Sequence, residues 1–291
     1  MNMLRILVIS LMATAAVAAE DVNRTLDADA DSEIHIYNVS GSVDVRGWSR
    51  NEVEVTGELG NGVEELIFER DGGDIIIRVE QKRRSMRSGS ADLEINVPQA
   101  SSLQVHTVSA DIDIDNVMGE QELESVSGDI STAAYASEME AESVSGDIAI
   151  DGDEQSSSFS FHTVSGDIEV ENVSGEIRVE SVSGSISVIN GAVSRAVGNT
   201  VNGDIVFHLS LLDEGRMDLE TINGEVDVQF GGPVSARIDI ETFNGNIRNC
   251  FGPESVRTSK YAPGRELDFT EGSGSGRVRI NTLNGNVRLC K

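Results

Sequence analysis

The sequence is poor in aromatic residues, which fill 4% of its 291 positions, and it has only 4 prolines, 4 histidines and 2 cysteines. Two cysteines cannot build a dense disulfide scaffold or a cysteine-rich metal centre. Basic residues are scarce too: 22 Lys+Arg face 50 Asp+Glu, a formal charge of -28. A polyanion of that size is repelled by phosphate backbones and anionic leaflets, which sets nucleic acid aside as a partner. After the N terminus no stretch approaches the ~20 apolar residues of a transmembrane segment, and none shows an apolar stripe at helical spacing.

What is present begins with an address. Arg5 precedes an apolar run from Ile6 to Val17, and small residues stand before Glu20. This pattern predicts a secretory signal peptide over residues 1–19, cut after Ala18 or Ala19. Removal of Arg5 leaves a mature charge of 21 - 50 = -29. No cysteine stands where a lipid anchor would attach, so the expectation is an exported chain with no transmembrane segment.

A short motif then recurs: an apolar residue, Ser or Asn, Gly, a polar residue, and Ile or Val. Copies include Val126-Ser-Gly-Asp-Ile130, Val164-Ser-Gly-Asp-Ile168, Val201-Asn-Gly-Asp-Ile205 and Leu283-Asn-Gly-Asn-Val287, with Val39-Ser-Gly-Ser-Val43 and Val108-Ser-Ala-Asp-Ile112 as outliers. The glycine position falls at 110 (alanine), 128, 146, 166, 184, 203, 224 and 245, a spacing of 18 to 21 with half-steps at Gly119 and Gly175. Between the corners apolar and acidic residues alternate, as in Ile168, Val170 against Asp167, Glu169 and Glu171. Period two means strands with one buried face, and a fixed period near 20 means stacked units.

The predicted fold is therefore all-β: a parallel β-solenoid with two short strands per coil of about 18–21 residues. Ile112, Ile130, Ile148, Ile168, Ile186, Ile205, Val226 and Ile247 should form one buried column, and the corner glycine is expected to supply a left-handed turn. Stacking should also line up the hydroxyls of Thr107, Ser125, Ser143, Thr163, Ser181, Thr200, Thr221 and Thr242, and the amides of Asn202, Asn223 and Asn244. Residues 20–100 repeat poorly and read as an N-terminal β cap with the first strands; residues 101–291 read as the solenoid, ending in a C-terminal coil.

The Ser-Gly-Asp-Ile and Asn-Gly-Asn-Val corners, the Asp92-Leu-Glu-Ile-Asn-Val-Pro98 entry, the segment Gly47 to Val55 and the terminal Thr282 to Leu289 resemble a bacterial family of exported β-strand-repeat proteins. That family is the domain of unknown function numbered 4097, which carries an adhesin label. The resemblance spans almost all of the mature chain. It implies a β-solenoid in the cell envelope and brings no catalytic residues with it. The chain shows no sorting motif, translocating barrel or aromatic C-terminal residue, which favours the periplasm over surface display.

Candidate chemistry is sparse. Residues 88–177 hold 20 Asp or Glu and no Lys or Arg. Asp111, Asp129, Asp147 and Asp167 share one repeat position, where like charges ~4.8 Å apart repel by about 0.9 kcal/mol per pair in bulk water. The column reads either as a solvated acidic face or as a Ca²⁺ site, since calcium accepts carboxylates in flexible geometry. No other cofactor is expected. The histidines make no metal site on this reading: His106 and His162 share a column three coils apart, and His35 and His208 lack partners in sequence. Arg178, Arg195, Arg216 and Arg237 are scattered, with pairing to Glu as their expected role. Residues 241–291 carry 8 Lys+Arg and 5 acids, net +3.

Cys250 and Cys290 each follow a corner glycine by five residues. Two intervening coil steps would place them about 9.6 Å apart, beyond the ~7 Å reach of a disulfide, whereas adjacent coils at about 4.8 Å allow one. The expectation is a Cys250–Cys290 bridge between adjacent coils, with residues 252–275 as an excursion and the C-terminal coil at the end of the stack. The functional reading is a non-enzymatic interaction or structural protein of the bacterial envelope whose partner is an envelope protein or a glycan. A carbohydrate-active enzyme on a β-helix scaffold and a calcium-dependent binding module are the alternatives.

Overall fold

A computed structural model describes residues 20–82, 89–135, 137–260 and 263–291, and the expected signal peptide lies outside them. None of the described residues is helical. The N-terminal strands are β1 (Glu20–Asp27), β2 (Glu33–Trp48), β3 (Glu52–Leu59), β4 (Val63–Asp71), β5 (Asp74–Gln81) and β6 (Ala91–Pro98). Next come β7 (Ser102–Asp115), β8 (Gln121–Ser125), β9 (Ile130–Ala134), β10 (Met139–Ser143), β11 (Ile148–Gly152), β12 (Ser156–Thr163), β13 (Ile168–Glu171) and β14 (Ser174–Ser181). The longer β15 (Ile186–Asn202) and β16 (Ile205–Asn223) bend from one face to the other. They are followed by β17 (Val226–Phe230), β18 (Ala236–Asn244), β19 (Ile247–Asn249), β20 (Val256–Arg257), β21 (Arg265–Glu271), β22 (Gly276–Asn284) and β23 (Val287–Cys290).

Each coil contributes one segment to each of two parallel ladders, a β-solenoid-like arrangement. One ladder runs β2, β7, β8, β10, β12, β14, β15, β16, β22, β18. The other runs β2, β7, β9, β11, β13, β15, β16, β17, β23, β19. The inward residues meet between the ladders. Ile112, Ile130, Ile148, Ile168, Ile186, Ile205 and Val226 are in register and at most 1% exposed, and Ile247 closes the column at 9%. Burial of each such side chain contributes about 1.5–3 kcal/mol. Val43 precedes the column and Val287 lies between Val226 and Ile247. The Val39-Ser-Gly-Ser-Val43 outlier is thus a working corner: Ser40 faces Ser109 and Gly41 faces Ala110.

Three expectations need correction. The sheet is mixed, because antiparallel pairs stand at both ends: β1–β3, β3–β6 and β4–β5 on one side, β18–β21 and β20–β21 on the other. A solenoid's last coil exposes unpaired backbone, and a strand folded back against it covers that edge. The corner glycines at 128, 146, 166, 184, 203, 224, 245 and 285 are not left-handed. Glycine is required there by close approach: a Cβ on Gly166 would collide with the carbonyl oxygen of Gly146, and one on Gly146 with that of Gly128. Finally, the C-terminal coil is not terminal in space. β22 pairs with β16 on one side and β18 on the other, and β23 likewise lies between β17 and β19. The chain lays down β18 and β19, crosses outside as β20 and β21, and returns to fill the gap it left.

Candidate functional site

The corner just described is concave, and its chemistry repeats with the coil. In Glu142-Ser143-Val144 the hydroxyl points inward, leaving the acid and the valine on either side of a furrow; Glu180-Ser181-Val182 and Glu220-Thr221-Ile222 do the same. The buried hydroxyls make the floor. In three coils the hydroxyl accepts a backbone N–H three residues on: Gly128 N–H to Ser125 Oγ at 2.8 Å, Gly146 N–H to Ser143 Oγ at 2.9 Å and Gly166 N–H to Thr163 Oγ1 at 3.1 Å. From Ser143 onward the hydroxyl also donates across to the coil before it in the stack, as Thr200 Oγ1 to the Gly184 carbonyl at 3.0 Å. The expected hydroxyl ladder is therefore a row of turns stitched coil to coil. The asparagine ladder is present as well: Asn223 Nδ2 donates to Asn202 Oδ1 at 2.8 Å and Asn284 Nδ2 to Asn223 Oδ1 at 2.9 Å.

One rim is apolar and exposed. Val108, Val126, Val144, Val164, Val182, Val201, Ile222, Leu283 and Phe243 follow one another along the stack, each 36–50% exposed. A continuous row of this kind on a protein surface marks an interaction site more often than scattered apolar residues do. The other rim reads, in spatial order, Glu124, Glu142, His162, Glu180, Asn199, Glu220, Asn281, Glu241. From Glu142 onward a carboxylate stands on every second coil. The intervening side chains relieve like-charge stacking: Asn199 Nδ2 donates to Glu180 Oε1 at 2.9 Å, Asn281 Nδ2 to Glu220 Oε1 at 3.0 Å, and His162 Nδ1 lies 3.3 Å from Glu180 Oε2. The alternation depends on the inserted coil, since Asn281 separates Glu220 from Glu241 only in space.

The groove has a volume of 1170 Å³, and Thr258, Gly264 and Arg265 line its far end. Eight coils at the strand spacing make it about 34 Å long. The strands beneath are paired on both sides, so recognition falls to side chains and not to added backbone pairing.

The residues singled out in the sequence are distributed as follows. Asp111, Asp129, Asp147 and Asp167 do stack, and each caps the next coil: the N–H of Asp129, Asp147, Asp167 and Ser185 donates in turn to the Oδ1 of the preceding aspartate at 3.0, 2.9, 2.8 and 2.7 Å. Asn286 Oδ1 does the same for Asn246 N–H at 3.0 Å. His162 comes together with Glu140 and Glu142, and His35 with Glu33 and Asp74, their ligand atoms lying within 4.8 Å of one another. Glu140 and Glu142 come from the coil beside His162, whereas Glu33 stands two residues before His35 on β2 and only Asp74 comes from the neighbouring strand β5. His106 Nδ1 sits 2.9 Å from Glu124 Oε2 and its ring stacks on Tyr37 at 5.3 Å. Arg178 pairs with Glu180 at 2.6 Å, but along its own strand and not across coils, and Arg195, Arg216 and Arg237 are not scattered: with Arg277 they share one register position.

Cys250 and Cys290 form a disulfide with a Cα separation of 4.8 Å. No helix among the described residues is long and apolar enough to cross a membrane.

No curated protein matches this chain. Among solved structures, it is similar to a "putative lipid binding protein" from Parabacteroides distasonis at 15% identity and a TM-score of 0.49, covering 95% of this chain and 98% of that one. A "putative adhesin" from the same organism gives 14% identity and a TM-score of 0.38 over 92% and 97% of the two chains. A "putative cell adhesion protein" from Clostridium sporogenes gives 10% and 0.21 over 93% and 99%. The Toastrack DUF4097 family model matches residues 10–192 and 159–290, most of the sequence, and the chain belongs to that family.

Proposed function

We propose that this is an exported, non-enzymatic interaction protein of the bacterial cell envelope, and that the corner groove is where it binds. The observation that carries the reading is the row of exposed aliphatic side chains beside an acidic rim, continued over nine coils by a motif that could have placed polar residues there. Its length suits an extended polymer, with apolar faces toward the valines and hydroxyl or cationic groups toward the glutamates. The disulfide supports an oxidising compartment. In this reading β1 and β3–β6 act as the N-terminal cap, the antiparallel strands at that end serving to keep the first coil from pairing with other chains.

The experiment is co-sedimentation of the purified protein with isolated envelope fractions and, separately, with purified cell-wall glycan. The comparison is with a double variant, Val164→Lys and Val182→Lys, which fills the middle of the groove at exposed positions. Loss of binding with an unchanged far-UV spectrum supports the groove. Equal binding by the variant places the contact elsewhere.

A further inference from the structure

A second feature, independent of the groove, lies where the same strands begin. Arg195 is opposite Arg216 on the next coil, and Arg216 is opposite Arg277 on the one after. Arg237 is the fourth in line, but Asp268 Oδ2 holds its guanidinium at 2.6 Å. For Arg195, Arg216 and Arg277 there is no ion pair or side-chain hydrogen bond among the described residues, in a chain with more than twice as many acids as bases. Three guanidiniums on adjacent coils repel one another, and nothing in the fold requires arginine at an exposed strand position. They open onto a cavity of 510 Å³, also lined by Arg279, Glu214, Asp218 and the chain at Ser275 and Gly276. The titratable lining sums to 4 - 2 = +2.

We propose that this arginine column is a binding site for a phosphate-bearing ligand. Arginine presents a planar fork of donors that matches phosphate oxygens two at a time. Stacking at the coil spacing lets one phosphoryl group bridge two guanidiniums, so three arginines accommodate a diphosphate or two neighbouring phosphates. The cavity is of the size that holds a small ligand or a headgroup. Glu214 and Asp218 share the lining, Asp218 opposite Arg279 and two residues from Arg216, and they would accept hydrogen bonds from hydroxyls on the group that carries the phosphate. The phosphate can belong to a free anion or to a lipid headgroup, and the two are separated by the test.

The full mature protein is titrated with pyrophosphate at low salt by calorimetry, and in parallel sedimented with vesicles of phosphatidylglycerol or of phosphatidylcholine alone. The variants are Arg216→Gln with Arg277→Gln, and Arg178→Gln as a control outside the cavity. The expected result is saturable pyrophosphate binding that weakens at least tenfold in the double variant, weakens with salt, and is unchanged in the control. The ligand-free double variant should melt no lower than the wild type, because the substitution removes like-charge repulsion. Vesicle binding that follows the same variants identifies a headgroup; pyrophosphate binding without it identifies a soluble phosphate. Absence of both, or equal binding by wild type and double variant, overturns the proposal, and neither result bears on the corner groove.

Discussion

Cys250 and Cys290 lie opposite each other on adjacent coils, their Cα atoms 4.8 Å apart although 40 residues separate them in the chain. The Cys250 N–H donates to the Leu289 carbonyl at 2.9 Å, so the bridge reinforces a ladder that already exists. It does not fasten a loose end, because β23 is flanked by β17 and β19. It joins the outer coil to the one inserted beneath it. Closing a loop of this length constrains the unfolded chain by roughly 4 kcal/mol in the chain-entropy model. Cys250→Ser with Cys290→Ser should therefore lower unfolding free energy by about 2–4 kcal/mol in a urea titration. A denaturant midpoint unmoved by the substitution would show that the bridge carries no stability.

Ile168 is fully buried between Ile148 and Ile186 in the middle of the column. Neighbouring coils hold their places through the ladders on either side, so the space left by truncation cannot collapse. Ile168→Ala should cost about 2–5 kcal/mol through lost burial and a cavity. Thermal unfolding is the measurement, and a loss below about 1 kcal/mol would mean that the coils close over the gap.

Gly166 and Gly73 separate close approach from generic glycine effects. A Cβ at Gly166 meets the carbonyl oxygen of the preceding coil, whereas at Gly73 there is nothing within 4 Å and no positive φ. Gly166→Ala should force two coils apart and destabilise by several kcal/mol, about the size expected for overpacking with backbone displacement. Gly73→Ala should stay within about 0.5 kcal/mol of the wild type. Similar losses in both would argue that backbone flexibility, and not contact between coils, explains the glycine at the corner.

The buried column was legible because the offset from each corner glycine is constant, and alternation alone assigns the inward face. The apolar rim was not. Val126 and Ile130 have the same parity, so a strict period of two places both inside; the corner between Ser125 and Gly128 shifts the phase and turns Val126 outward. Coil order was hidden for a different reason. Phe243-Asn-Gly-Asn-Ile247 and Leu283-Asn-Gly-Asn-Val287 carry the same motif, and nothing local records which lies outermost. That is decided by β21, which pairs antiparallel to β18 and takes the outer edge. The arginine column and the acidic rim also keep a constant offset, eight and four residues before the corner glycine, so their membership was legible; their order along the stack, and with it the alternation of the rim, was not.

Asp147 tests whether the acidic column needs its charge. Its Oδ1 accepts the Asp167 N–H at 2.8 Å, and Asn286 performs the same task with a neutral amide. Asp147→Asn keeps the acceptor and removes one like charge from the stack, so stability should stay within about 0.5 kcal/mol of the wild type and rise slightly at low salt. Asp147→Ala leaves the amide without its acceptor and should cost about 0.5–1.5 kcal/mol. The ladder uses one oxygen of each carboxylate, which leaves the other as a ligand for calcium, an ion that binds oxygen in flexible geometry. If the column holds calcium, calorimetry should show a chelator-sensitive heat in the millimolar range that disappears when Asp111, Asp129, Asp147 and Asp167 all become Asn. The same heat in that quadruple variant would remove calcium from the column and leave amide capping as the role of these aspartates.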